Sequence, residues 1–396
     1  MVEITSRERM LGAINYEKTD YIPCSFMMFF NLTSRYPKLE DYIREELGMG
    51  LDAVVNTGTL QHSFHPDTKY CQWTEKKDGK KYFCRRLETP RGPLTQKVVQ
   101  RNGWPSEDFF PIFDDYIIPR AEEVFLKPEK DLDKLQYLLG PFSRENIDKL
   151  KTEAAEAKKI AEKFGLLQVA GEIARNLFND GYYSLIMGAD AMSWLSGFLD
   201  VMTLSLTKPE IIKEYTNSIC KWNSEQLEIY LDVTNVDLIV RRAWYETTEF
   251  WTPAAYRDIL APVLKREVDI VHQAGRKYGY IITAAFLPII DYILDTGIDV
   301  LIGYDPVEGK GTDMNIVKEK FSSGKRAIWG GVSGAVTVES GTARQTEKAV
   351  IEALGVLGKG GGFILSPVDN VREETDVVWK NTYKFIETWK KYRNYE

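Results

Sequence analysis

Cysteine is scarce in this 396-residue chain: Cys24, Cys71, Cys84 and Cys220 stand far apart with no C-x-x-C pair. That argues against a disulfide framework or a zinc knuckle, and leaves reduced, mostly buried thiols as the expectation. Basic charge is not in excess either, since 51 Lys and Arg face 58 Asp and Glu for a formal net charge of -7. Nucleic acid and anionic lipid are therefore not expected partners. No apolar run approaches the roughly 20 residues that cross a bilayer. The opening Met1–Arg9 is charged where a secretory signal would be apolar, so the chain reads as cytosolic. Low-complexity tracts, Gly/Ser linkers and sequence repeats are missing too, which favours one domain over 1–396. What is present, 44% hydrophobic and 28% charged residues, belongs to a folded globular protein.

Along the chain, Ser6 to Tyr16 carries a Ser cap and an apolar stripe of Met10, Leu11 and Ile14, the pattern of an amphipathic helix. Short alternating runs at 67–100, broken by Asp78-Gly79 and Arg91-Gly92-Pro93, predict antiparallel hairpins inserted into a larger fold. Ser143 to Gly165 reads as a long charged helix ending at glycine. From there, apolar runs at 166–170, 236–240, 278–283, 298–303, 326–331 and 361–366 alternate with helical periods. Such runs imply a parallel sheet covered by helices. With Leu51–Val55 and the Ile22–Phe30 region they make about eight strands, the number that closes a (β/α)8 TIM barrel, which is favoured over an open sheet.

In such a barrel the functional side chains follow the C-terminal strand ends. His272 falls before a strand and reads as structural. His62 and His65 follow the first strand; their i, i+3 spacing suits one metal, but two histidines without a third ligand leave the metal unknown. The remaining mouth candidates are Glu172 and Asn176, then Arg241, Trp244, Tyr245 and Glu246, then Thr283, then Tyr304 and Asp305, and finally Asp369 with Asn370. Several carboxylates meeting in an apolar cavity would have raised pKa values, and Glu172, Tyr245, Glu246, Tyr304 and Asp369 are the candidate acids or polarising groups. The competing expectation for each acid is a helix cap or an ion pair with an arginine. The glycine-rich GKGGGF at 358–363 and WGGVSGAV at 329–336 fall short of phosphate-binding and nucleophile-elbow patterns. DIVHQAG at 269–275 is one residue too long for a corrinoid-binding Asp-x-His-x-x-Gly, so no corrinoid is expected on this chain itself.

The opening SRERMLGAINYEKTDYIP, the stretch FWTPAAYRDILAPVLKREVDIVHQAG at 250–275, and GGFILSPVDNV at 361–371 together resemble the uroporphyrinogen decarboxylase superfamily over nearly the whole chain. That resemblance implies a single (β/α)8 barrel. True uroporphyrinogen decarboxylases carry an early arginine-rich motif that grips the substrate carboxylates; here Pro23 to Tyr36 reads PCSFMMFFNLTSRY, an apolar wall of Met27, Met28, Phe29 and Phe30. The resemblance then implies the other branch, methyltransferases that exchange methyl groups with a corrinoid carried by a separate protein. Thiol-methylating members hold zinc with a His-x-Cys pair and a later Cys. The corresponding positions here are Thr283-Ala284-Ala285 and Val368-Asp369, so those ligands are absent.

The expectation is therefore an O-demethylase-type methyltransferase acting on a methoxylated aromatic. Met27, Met28, Phe29, Phe30 and Trp244 would enclose the ring, and His62, His65, Asn176, Arg241 and Asp305 would complete the binding set. A decarboxylase or lyase anchoring a small acid on Arg241 or Arg242 is the alternative, and a non-catalytic binding barrel the third. A zinc bound by an unfamiliar carboxylate–histidine set stays open. Any self-association is expected on the flanks, leaving the mouth to the carrier.

Overall fold

The computed structural model describes residues 4–101, 110–173, 186–308 and 312–395. Two sheets organise these residues. One is parallel, with strands β1 (Val54–Asn56), β6 (Leu167–Ala170), β7 (Leu238–Arg242), β8 (Lys277–Ile281), β9 (Val300–Tyr304), β10 (Ala327–Ser333) and β11 (Phe363–Val368) adjacent in that order. The other is antiparallel, with β2 (Lys69–Lys77), β3 (Lys80–Glu88), β4 (Leu94–Gln100) and β5 (Ala121–Glu123). The hairpins expected at 67–100 form with turns at the two anticipated places, and β5 joins them from outside that range.

The parallel sheet curls, and because successive side chains point to opposite faces, each face is buried by something different. Val54, Leu167, Val169, Leu238, Val240, Ile281, Val300, Ile302, Trp329 and Ile364 meet in one buried cluster on the concave side. Val55, Ile239, Tyr278, Tyr280, Leu301, Ile328 and Leu365 belong to the outer cluster beneath the helices. The first helix, Ser6–Ile14, adds Met10, Ala13 and Ile14 to the inner cluster. Its cap is Thr5 rather than Ser6: the Thr5 hydroxyl accepts from the Glu8 N–H, and the Glu8 side chain returns the bond. The helix Arg144–Phe164 lies as expected, with Ser143 as N-cap and left-handed Gly165 at its end.

An eighth strand at Ile22–Phe30 does not form, so the parallel sheet has seven strands among the described residues. An extended segment lies in that position. Leu365 donates to the Pro23 carbonyl at 2.9 Å, Ser25 donates to Leu365 at 3.0 Å, and Asp52, just before β1, donates to the Cys24 carbonyl at 2.7 Å. Pro23 has no N–H, and the Cys24 N–H goes to the Asp52 carboxylate at 3.2 Å, so a regular ladder has too few donors. Among the described residues no helix is long and apolar enough to cross a membrane.

Candidate active site

Sequence spacing places β7 at 236–240, but the strand continues through Arg242. This shift decides the chemistry, because neighbouring strand residues face opposite ways. Arg241 points outward beneath the helix Ala261–Gln273, where it pairs with Glu246 at 2.6 Å and Glu267 at 2.7 Å, all three buried. Tyr280 and Tyr278 donate to those two carboxylates at 2.6 and 2.7 Å. Arg242 turns instead to the C-terminal mouth of the sheet.

There it meets three carboxylates. Its Nε reaches Glu172 at 2.9 Å, one terminal nitrogen reaches Asp115 at 2.9 Å, and the other bonds Asp190. Trp244 donates its indole N–H to Glu172 at 3.0 Å, and the Tyr245 hydroxyl donates to Asp115 at 2.6 Å. A pocket of about 400 Å³ opens beside this network, lined by Met28, Asp115, Glu172, Arg242, Trp244, Tyr245, Asp369 and Arg372. Glu172, Arg242 and Asp369 come from the C-terminal ends of β6, β7 and β11.

Four acids, Asp115, Glu172, Asp190 and Asp369, thus stand against two guanidinium groups. Burial pushes the Asp190 carboxyl up to about 7, against the pull of Arg242 and with the other acids adding to the rise. Burial also raises Asp369, although Arg372 lies 3.1 Å from its carboxylate. Arg372 reaches back because Asp369 adopts left-handed backbone, φ 63°, which a short polar side chain tolerates.

Of the expected site residues, Glu172, Trp244, Tyr245, Asp369 and Met28 are brought together here. The others go elsewhere, for identifiable reasons. Arg241 and Glu246 are committed to the outer network, as above. Met27 packs in the inner cluster with its N–H on Ser366, and Phe29 packs on Phe26 at 4.6 Å between ring centroids. Phe30 begins a short helix and donates its N–H to Asn370 at 3.2 Å. Left-handed Gly303, φ 88°, breaks the alternation after Ile302 and sends Tyr304 into the outer cluster beside Phe286. Asp305 caps its own loop by accepting from Val307 and Glu308 at 2.8 and 3.0 Å.

His62 sits edge-on among Phe64, Phe113 and Trp222 and bonds the Leu138 carbonyl at 2.6 Å; burial lowers its pKa to about 4. His65 accepts from the Asp67 N–H at 3.1 Å, and Asn176 lies outside the described residues. His272, beneath the sheet, bonds Asp299 at 2.8 Å. Among the described residues no group of three or more His, Cys, Asp or Glu stands close enough to hold a metal ion.

Asp115, Asp190 and Arg372 are members that sequence reasoning passes over. Asp115 arrives from the loop between β4 and β5, and Asp190 from the first turn of the helix Ala189–Ser196. Neither follows a parallel strand directly. Arg372 had a signal, since it lies three residues after Asp369 at the end of the last strand.

No protein-family model matches the chain, and no curated protein sequence matches it. A solved structure, a methyltransferase from Methanosarcina mazei, superposes with a TM-score of 0.59 at 15% identity, over 98% of this chain and 99% of its own. The fold is shared from end to end. A 3-keto-D-glucoside 4-epimerase from E. coli aligns over 60% of this chain and 84% of its own at 14% identity, with a TM-score of 0.35. A D-psicose 3-epimerase from Clostridium cellulolyticum H10 aligns over 60% and 75% at 13% identity, with a TM-score of 0.34.

Proposed function

We propose that this protein is a methyltransferase that takes the methyl group of a small neutral methyl ether, a methoxylated aromatic, and delivers it to a corrinoid carried by a separate protein. The observation that carries this reading is the composition of the mouth pocket. Trp244, Tyr245 and Met28 offer surface for a ring, beside acids whose protons are held more tightly than usual. The resemblance of the motifs to the uroporphyrinogen decarboxylase superfamily, one branch of which is corrinoid-linked methyltransferases, supports it, as does the fold shared with the Methanosarcina mazei methyltransferase.

When docked, the partner's corrinoid supplies the electron pair that accepts the methyl group. The C–O electron pair then stays on the aryl oxygen, which needs a proton. Asp369 lines the pocket with a raised pKa and is the donor in this reading; Arg242, whose three nitrogens bond Glu172, Asp115 and Asp190, holds that cluster in place beside it. Thr283, Ala284, Ala285 and Val368 carry neither thiol nor imidazole, so these positions do not fit the zinc cage that thiol-methylating relatives would need.

The lyase alternative loses its anchor, because both arginines are already paired with carboxylates. The test is to mix the protein with a reduced corrinoid carrier and neutral methoxyphenols. The expected result is a change in corrinoid absorbance matched by one equivalent of free phenol. Silence across ethers, amines and thioethers, or carbon dioxide release from a small acid without the carrier, refutes the proposal.

A further inference from the structure

The two most exposed large hydrophobic side chains among the described residues, Leu199 at 79% and Leu206 at 69%, stand seven residues apart in one helix, Phe198–Thr207. Seven residues make close to two turns, so the pair shares a face with half-buried Met202, while Val201, Leu204 and Ser205 turn to the interior. The helix buries one apolar face and presents a second to solvent.

Its place in the fold puts that second face beside the candidate site. The helix before it, Ala189–Ser196, begins at Arg242 with Asp190. The helix after it, Pro209–Val233, leads to the start of β7 and so begins at the mouth end of the sheet. Phe198 carries the apolar surface to the pocket: its ring stacks on Phe250 at 4.7 Å between centroids and meets Tyr245 edge-on at 4.7 Å, and Tyr245 lines the pocket. Stripe and pocket are joined by aromatic contacts.

A protein that brings cobalt to the pocket needs such a surface. Stable protein–protein contacts bury roughly 800 Å² on each partner, more than the opening of a pocket of about 400 Å³ offers, so the footprint spreads past the rim. Charge narrows the partner further. Asp200 on the same helix and Glu249 beside Phe250 are exposed acids, in a chain of net charge -7. A second copy or an anionic bilayer would bring like charge to them, whereas basic residues around an apolar patch bring opposite charge.

We propose that Leu199, Met202 and Leu206, with Phe198 and Phe250, form the docking surface for the corrinoid carrier, a partner that presents an apolar patch ringed by basic residues. This rests on the methyl-transfer reading above.

Methyl transfer from a methoxyphenol to two acceptors tests it: the reduced corrinoid carrier protein, which must dock, and free cob(I)alamin, which need not. Leu199→Gln with Leu206→Gln should lower kcat/KM for the carrier about 100-fold, roughly 10-fold for each leucine lost from the contact. The rate to free cob(I)alamin and the KM for the methoxyphenol should not change. Asp200→Lys with Glu249→Lys keeps the leucines; it should lower carrier kcat/KM about 10-fold at low salt and flatten its fall with ionic strength. If either double variant serves the carrier as well as the unaltered protein does, or loses both acceptors equally, the proposal falls. It also falls if the unaltered protein methylates free cob(I)alamin but no carrier, if light scattering shows a dimer that the leucine pair makes monomeric, or if vesicles of anionic lipid bind the protein through those leucines. Inactivity of the unaltered protein with both acceptors refutes the methyl-transfer reading and the docking surface with it, whereas full activity in the variants refutes the docking surface alone.

Discussion

Arg241 and Arg242 are consecutive residues of β7 whose guanidinium groups never share a partner: one holds Glu246 and Glu267 under the helices, the other holds Glu172, Asp190 and Asp115 at the mouth. A single step along a strand separates an ion network packed beneath the helices from one at the mouth of the candidate site. The first is closed off by packing and the second opens on a pocket, so equal chemistry has unequal consequences.

Substitutions at the two positions should therefore separate cleanly. Arg241→Met leaves Glu246 and Glu267 buried without their cation and should cost about 3–5 kcal/mol of stability, read by urea unfolding. Arg242→Lys keeps the charge but cannot bond three carboxylates in one plane. It should lose roughly 100-fold or more in kcat/KM for methyl transfer while unfolding at a similar urea concentration. A catalytic loss at Arg241 with full activity at Arg242 would reverse the assignment of faces.

Gly188 precedes the helix that carries Asp190, and a Cβ there would overlap the Arg241 guanidinium and the Glu246 carboxylate. The Ala189 N–H also donates to Glu246 at 3.0 Å, so the chain has no room to retreat. Gly188→Ala should destabilise by at least about 3 kcal/mol, because the buried pair must separate to admit one methyl group. Thermal unfolding checks this; a Tm within a degree of the parent would show that the network is looser than its distances imply.

Much of this framework was legible beforehand, and its gaps have physical causes. Strand runs such as 326–331 and 361–366 are apolar on both faces, which only a covered parallel sheet requires, and they lie within two residues of β10 and β11. The eighth run, Ile22–Phe30, is as apolar but is tied by side-chain bonds to Asp52 and Ser366 that periodicity cannot show. Site residues that end parallel strands, Glu172 and Asp369, were within reach of the mouth rule. Asp115 and Asp190 were not, since an insertion loop and a helix start bring them in. Glu246 and Tyr304 stood near the right strand ends and faced away, one through its pairing with Arg241 and the other through left-handed Gly303.

Proton linkage gives two opposed slopes. Asp190 titrates at about 7 when folded against about 3.9 unfolded, so between those values the folded state holds the extra proton and stability falls as pH rises through them. His62 is the reverse: its folded value of about 4 lies below the unfolded value near 6.5, so its contribution is full above the latter and is lost as pH falls toward 4. Asp190→Asn should flatten the first limb and His62→Phe the second, measured as the difference in unfolding free energy from the parent across pH 4 to 8. A difference curve that is level for either variant removes that group from the account.

Asp369 offers the sharpest test of the chemistry. It lines the pocket with its pKa raised by burial, and its own partner, Arg372, comes from the same turn rather than from the sheet. If it gives the proton to the departing aryl oxygen, kcat must fall as pH rises through its raised pKa, since only the protonated carboxyl can donate. Asp369→Asn should lower kcat by about 100-fold or more and abolish that alkaline limb, whereas KM for a neutral ether should barely move. Methoxyphenols with electron-withdrawing substituents leave without help, so they should recover most of the lost rate in the variant. A uniform loss across leaving groups would mean that Asp369 shapes the pocket and that the proton comes from elsewhere.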